Sequence, residues 1–239
     1  MTKFITIVSG KGGVGKTTTT LNVGQSLTSL GKKVILLDAN LVTPNLAINL
    51  GMMDPKGTIN KYLRKEKGIT EITYLHESGI SVIPASPAYS EYQKTNSQKL
   101  PKIFEDLDGS ADFVLVDAPS GLGYDVINLI KHSDEVLIVT NPTISSVMDA
   151  LKTIQIANAH QIVVAGVVIN MSNRGKFEMK PEEIEETLGH TVLANIRNER
   201  KMRKASYKTM PVTYIYPKSR PAKQFNNIAN HLALNFPTK

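Results

Sequence analysis

Ile5-Thr6-Ile7-Val8-Ser9-Gly10-Lys11-Gly12-Gly13-Val14-Gly15-Lys16-Thr17-Thr18 decides how this chain is read. A β-favouring run enters a glycine-rich turn, and a pattern of helical period follows. The spacing G-x-x-x-x-G-K-[ST] between a strand and a helix is the arrangement that cradles a phosphate chain. Gly10, Gly12, Gly13 and Gly15 let the backbone turn tightly and aim N–H groups inward, with Val14 and Thr18 completing the loop. The helix that follows adds its positive end. Lys16 is expected to neutralise the β- and γ-phosphates, and the Thr17 hydroxyl to face Mg²⁺. ATP and Mg²⁺ are the ligands this loop predicts. The competing reading, a glycine-rich turn that only joins strand to helix, fits the flanking pattern poorly.

Outward from the loop, short apolar runs alternate with longer helical ones. Strands are predicted at Phe4–Ser9, Lys33–Asp38, Ile80–Pro84, Phe113–Asp117, Glu135–Thr140, Ile162–Asn170 and Val192–Ile196. Helices are predicted near Lys16–Leu30, Lys99–Leu107, Gly123–Lys131, Ser145–Ala157, Pro181–Leu188, Glu199–Tyr207 and Pro221–Leu234. Strands rich in Val, Ile and Leu without polar alternation suit a sheet covered on both faces. The expectation is one α/β domain over residues 1–239, a mainly parallel, doubly wound sheet with helices on both faces. Met52–Asn96 is the least regular stretch, where loops and short helices are expected. Asp117 ends an apolar strand, as a carboxylate that holds Mg²⁺ through a bound water does. Asp38 ends a second such strand and is expected to support the same metal shell, although polar strand ends are common.

Lys11-Gly-Gly-Val-Gly-Lys16-Thr-Thr resembles the deviant Walker A motif of the ParA/MinD family of ATPases. In that family the additional lysine reaches across a nucleotide-sandwiched dimer, so the resemblance implies that Lys11 acts in an ATP-dependent homodimer. Val34 through Asp38-Ala39-Asn40 to Leu46 looks like the family's switch I. Phe113–Asp117 followed by Ala118-Pro119-Ser120-Gly121-Leu122-Gly123 is similar to its Walker B strand and switch II. Ser133-Asp134-Glu135 and Asn141 through Val147 resemble the MinD branch, and Asn170 looks like the residue that contacts adenine in relatives. The resemblance runs from Phe4 to about Leu234. Where relatives carry D-x-D, this chain has Asp38-Ala39-Asn40. An amide orients water but cannot accept its proton, so slow hydrolysis is expected, and with it an activating protein partner. Lys11, Lys16, Asp38 and Asn40 are thus the implied catalytic set.

Composition narrows the alternatives. The 239 residues include no cysteine, which excludes disulfides, thiolate metal sites and the cysteine-dependent iron–sulfur relatives of this loop. His76, His132, His160, His190 and His231 have neither ligand nor triad spacing. With no apolar membrane-length run and no leader at the start, a cytoplasmic protein is expected, possible recruitment to membrane or nucleoid being left to the net charge of +7. On a helix, Arg197, Lys201, Lys204 and Lys208 fall near one face, with Met202 and Ala205 inward. Such a stripe either tracks DNA nonspecifically, is a solvated face, or places cations beside the nucleotide pocket. Phe225, Ile228 and Leu232, followed by Leu234, Phe236 and Pro237, read as a stripe packed on the domain rather than a membrane anchor, only Lys239 lying farthest out. Tyr214 and Tyr216 are expected in a proline-bounded loop.

Overall fold

The structure, a computed structural model, describes residues 1–173 and 175–234. Its strands are β1 (Lys3–Val8), β2 (Val34–Asp38), β3 (Tyr74–Leu75), β4 (Ser81–Ile83), β5 (Phe113–Asp117), β6 (Glu135–Thr140), β7 (Val163–Ser172) and β8 (Val192–Arg197). Between them run α1 (Lys16–Ser29), α2 (Ile59–Leu63), α3 (Ile69–Ile72), α4 (Tyr89–Gln93), α5 (Lys102–Leu107), α6 (Tyr124–Lys131), α7 (Ile144–Ala159) and α8 (Pro181–Leu188). After β8 come α9 (Arg200–Tyr207), α10 (Val212–Ile215) and α11 (Arg220–Leu234). All eight strands form one sheet in the order β3-β4-β2-β5-β1-β6-β7-β8. Every pairing is parallel except β3 with β4.

The all-apolar strands are buried because both sheet faces are covered. One layer joins α2, α3, α5, α6, α7 and α8 to side chains such as Ile35, Leu37, Val114 and Ile138. The other joins α1, α9, α10 and α11 to Ile5, Ile7, Leu36, Leu115 and Leu137. In α11, Phe225, Ile228 and Leu232 are fully buried against that second layer. The stripe therefore faces the domain; Phe236, Pro237 and Lys239, read together with it, lie outside the described residues. Sandwiched between β5 and β6, β1 stands where the chain's winding reverses, and the crevice at such a point beyond the strands' carboxyl ends is where open α/β sheets bind ligands.

Four local differences from the sequence reading have plain causes. The two-residue edge strand β3 is too short to show a pattern. The helix expected from Lys99 starts at Lys102, after Pro101 separates it from a turn of 3₁₀ helix at Ser97–Lys99. The expected loop around Tyr214 contains α10, because buried Val212 and Thr213 pack inward and Thr213 donates its N–H to the Asn22 side chain of α1 at 3.2 Å. Arg197 is not on the basic helix. Parallel pairing with Ser172 carries β8 through Arg197, and α9 opens only after Glu199. The four-cation stripe is therefore not one helix face, although Ala205 is buried and Met202 packs inward as expected.

At the β8 edge, side chains occupy backbone donors. The Val192 N–H donates to Glu185 Oε2 and the Asn195 N–H to Gln224 Oε1, both at 3.1 Å.

Candidate functional site

The loop from Ser9 to Thr18 hangs from the carboxyl end of β1 and turns into α1. Gly15 sits at φ 97°, in left-handed space, at the N-cap of α1. A Cβ there would lie 2.1 Å from Asn170 Nδ2, so only glycine fits twice over. Gly10 is as confined: a Cβ would meet the Asp149 carbonyl oxygen of α7 at 2.6 Å. The phosphate loop is thereby clamped between β7 and α7.

Lys16 is buried, and its Nζ donates to Ser9 Oγ at 2.9 Å. Burial lowers its pKa and the nearby Asp117 opposes that. Ser9 was not singled out in the sequence, although its place between strand and first glycine marks it as the lysine's natural rest. Thr17 Oγ1 donates to Asp117 Oδ2 at 2.6 Å, and Thr20 Oγ1 reaches Asp117 Oδ1 at 3.4 Å. Asp38 is paired in register with Asp117 across β2 and β5. Both carboxylates are essentially buried. Burial pushes Asp38 well above the usual carboxylate range, and Asp117 pushes it further, against backbone amides of Leu46, Asn40 and Asn45. Burial likewise raises Asp117 to about 6, against the Thr17 hydroxyl, Lys16 and Thr20. Two buried acids and a hydroxyl beside a phosphate loop form a hard-oxygen donor set of the kind that suits Mg²⁺.

Lys11 is exposed, and its Nζ donates to Ser145 Oγ on α7 at 3.2 Å. Ile144 and Met148, which lie on α7 with Ser145, are exposed, and Phe177 is 99% exposed. The Met179 N–H donates to the Pro142 carbonyl at 2.9 Å, which ties the Phe177 segment to the start of α7. Asn40 turns back on its own loop. Its Nδ2 donates to the Thr43 carbonyl at 2.9 Å and to Thr43 Oγ1 at 3.0 Å, while its Oδ1 accepts from the Thr43 N–H at 3.1 Å. Asn170 is buried and donates from Nδ2 to the Val14 carbonyl at 2.8 Å, so it holds the loop itself. Gly12, Gly13 and Thr18 take their places along the same loop, and Val14 is buried beneath it.

Beyond Asn170, past Met171 at φ 57°, an open cavity of about 540 Å³ lies at the carboxyl ends of β7 and β8. Ser172 and Asn173 wall one side, and the segments 197–201 and 218–220 wall the other. Sequence reading did not foresee it. No motif links three segments that only the β7–β8 pairing and the start of α11 bring together.

Comparison with known proteins agrees with this geometry. A family model described as "ParA: NUBPL iron-transfer P-loop NTPase" matches residues 1–233. With no cysteine in the chain and no cluster of three or more His, Asp or Glu among the described residues that could hold a metal, the residues do not fit an iron–sulfur centre. An uncharacterized ATP-binding protein of Methanocaldococcus jannaschii is 34% identical over 92% of this chain and 84% of its own length. The cell division ATPase MinD of Pyrococcus furiosus superposes with a TM-score of 0.93 at 31% identity, covering 98% of this chain and 99% of that one. The septum site-determining protein MinD of Pyrococcus horikoshii, complexed with Mg-ADP, gives a TM-score of 0.93 at 29% identity, covering 97% and 96%. With its loop, fold and full-length matches in agreement, the chain belongs to the ParA family of P-loop NTPases.

Proposed function

We propose that this chain is a MinD-type ATPase switch: it binds ATP with Mg²⁺, pairs with a second copy in the ATP state, and hydrolyses slowly while serving spatial positioning or partitioning. The observation that carries this reading is the 2.6 Å contact of Thr17 with Asp117, with Asp38 in register beside it. Two buried carboxylates pushed toward protonation are a charge excess that a divalent cation would relieve. The Mg-ADP in the Pyrococcus horikoshii structure supports the same assignment. Thr17 would hold the ion directly and Asp117 through water, with Asp38 behind. When bound, the ion supplies neutralisation of the phosphate oxygens.

The chain's own residues do the rest. Lys16 turns from Ser9 to the β- and γ-phosphates, and the loop amides with the positive end of α1 grip the chain of oxygens. The base lies beyond Asn170, beside Ser172 and Asn173. Lys11, resting on Ser145, crosses to the partner's phosphates, and exposed Ile144, Met148 and Phe177 supply apolar surface. Asn40 carries no charge and is engaged with Thr43, so no carboxylate base stands in switch I; this supports slow turnover. Light scattering tests the switch: the mass should double with a non-hydrolysable ATP analogue, stay single with ADP, and stay single in Lys11→Ala under both conditions. A wild-type mass that never changes would overturn the dimer.

A second reading rests on charge. Of 28 lysines and arginines, nine lie within 197–223, against one of 21 acids, Glu199. The remaining chain carries 19 basic and 20 acidic residues, so the whole positive excess sits here. Exposed Arg200, Arg203, Lys204 and Lys208 on and just past α9 present it to solvent, as a DNA backbone would require. An ATP-dependent, salt-sensitive mobility shift that disappears in Arg203→Gln/Lys204→Gln would favour this reading.

A further inference from the structure

The basic helix α9 ends on a residue whose backbone is unusual for its type. Thr209 lies at φ 52°, in left-handed space. The hydrogen bonds around it are those of a common helix end: the Thr209 N–H donates to the Ser206 carbonyl at 3.0 Å and the Met210 N–H to the Ala205 carbonyl at 3.1 Å. Glycine usually fills the left-handed position of such a cap. A β-branched threonine there is strained, and such strain persists only where the surroundings hold it. What the side chain faces is Gly51. A Cβ built on Gly51 would lie 3.1 Å from Thr209 Oγ1 and 3.7 Å from Thr209 Cβ. The hydroxyl already donates to the Lys208 carbonyl at 2.7 Å, so the contact with Gly51 is one of packing.

Gly51 closes the segment that begins at Asp38, whose carboxylate accepts the Leu46 N–H at 3.1 Å. From there the turn is stitched by its own backbone: Asn49 N–H to the Asn45 carbonyl at 3.0 Å, Leu50 to Ala47 at 2.9 Å and Gly51 to Ile48 at 3.0 Å. Leu46 and Leu50 are buried in the same layer as Ala205 of α9 and Val212 of α10. A cavity of about 30 Å³ lies where Asn49 meets Thr18 and Asn22 of α1 and Ser206 and Met210 at the end of α9. The turn and the helix end thus meet beside a gap into which one can shift. We propose that Thr209 couples the two: a change in what Asp38 holds moves the Leu46–Gly51 turn, and Gly51, leaning on Thr209, resets the end of α9. The proposal rests on the nucleotide reading above, in which Asp38 stands behind Mg²⁺. Thr209 touches no part of the phosphate loop and is a positioning residue. Exposed Arg200, Arg203, Lys204 and Lys208 would be carried with the helix it caps.

Amide hydrogen exchange on the full chain tests this, free, with Mg-ADP, and with Mg²⁺ and a non-hydrolysable ATP analogue. In wild type, amides of 10–18 gain protection with nucleotide, and those of 203–210 change their exchange by about fivefold or more between the free and analogue-bound chain. In Thr209→Gly the loop is protected as before, while the change at 203–210 falls to within about twofold. In the free chain the same variant exchanges faster at 46–51, because the brace against Gly51 is gone. A threonine that is only a strained cap gives another pattern: glycine then slows exchange in α9 and leaves 46–51 as it was. Thr209→Ser keeps both atoms that face Gly51 and retains the wild-type response. The proposal is overturned by a wild-type α9 that ignores the analogue while 10–18 is protected, by a glycine variant that responds like wild type, or by a serine variant that responds like glycine. If 10–18 never gains protection, the nucleotide reading falls instead, and the free-chain comparison at 46–51 still decides whether Thr209 braces Gly51.

Discussion

Replacing Asp117 with Asn should stabilise the free protein while abolishing its response to Mg²⁺. The magnitude follows from the buried carboxyl. Its pKa stands at about 6 rather than the ordinary 3.8, a difference on the order of 3 kcal/mol against the charged form. The sign is set by linkage. The folded carboxyl binds its proton more tightly than the unfolded one, so wild-type stability falls as pH rises from about 4 to about 6 and stays at the lower level above. Asp38 is pushed the same way, and the variant removes Asp117 as its second cause. An amide fits the Thr17 and Thr20 hydroxyls less well than a carboxylate, which takes back part of the gain. The net expectation at pH 8 without Mg²⁺ is about 1–2 kcal/mol in favour of Asp117→Asn, shrinking toward zero near pH 4.5. Urea unfolding at the two pH values, in chelator, measures it. A variant less stable than wild type at pH 8, or an advantage that does not shrink with acid, would refute the reasoning.

Other outcomes follow from the same geometry. Gly15→Ala should cost about 2–4 kcal/mol in urea unfolding, combining left-handed strain with displacement of the Asn170 amide from Val14; adding Asn170→Ala should recover part of it. Lys16→Ala should lose ATP binding in calorimetry, whereas Lys11→Ala should keep it. Asn40→Asp should release phosphate roughly tenfold faster than wild type in a steady-state assay, since it restores a proton acceptor; a wild type faster than this variant would sink the reading of Asn40. Phe225→Ala should cost about 3–5 kcal/mol in the same denaturation experiment, because the ring is fully buried between α11 and the sheet.

The phosphate loop and the sheet were readable because their signals are local. Gly10 to Thr18 carries its chemistry in consecutive residues, and the strands Val34–Asp38 and Phe113–Asp117 announce two-sided burial by having no polar alternation. Asp38 and Asp117 could be named separately, but only the β2–β5 register makes them neighbours. Ser9 and Ser145, which hold the two lysines, carry no pattern of their own. Arg197 was misplaced because helical spacing and strand continuation predict the same cations, and pairing with Ser172 decided between them. The cavity was invisible for the related reason that its lining comes from three segments well separated in sequence.

The occupied amides along β8 carry a consequence for association. A passing chain that sought to extend the sheet there would have to evict the Glu185 carboxylate and the Gln224 amide from Val192 and Asn195. At the far end, β3 offers a template of only two residues. Templated strand addition is thus disfavoured at both borders. Copies of the chain can then crowd together without seeding fibrous growth from either border.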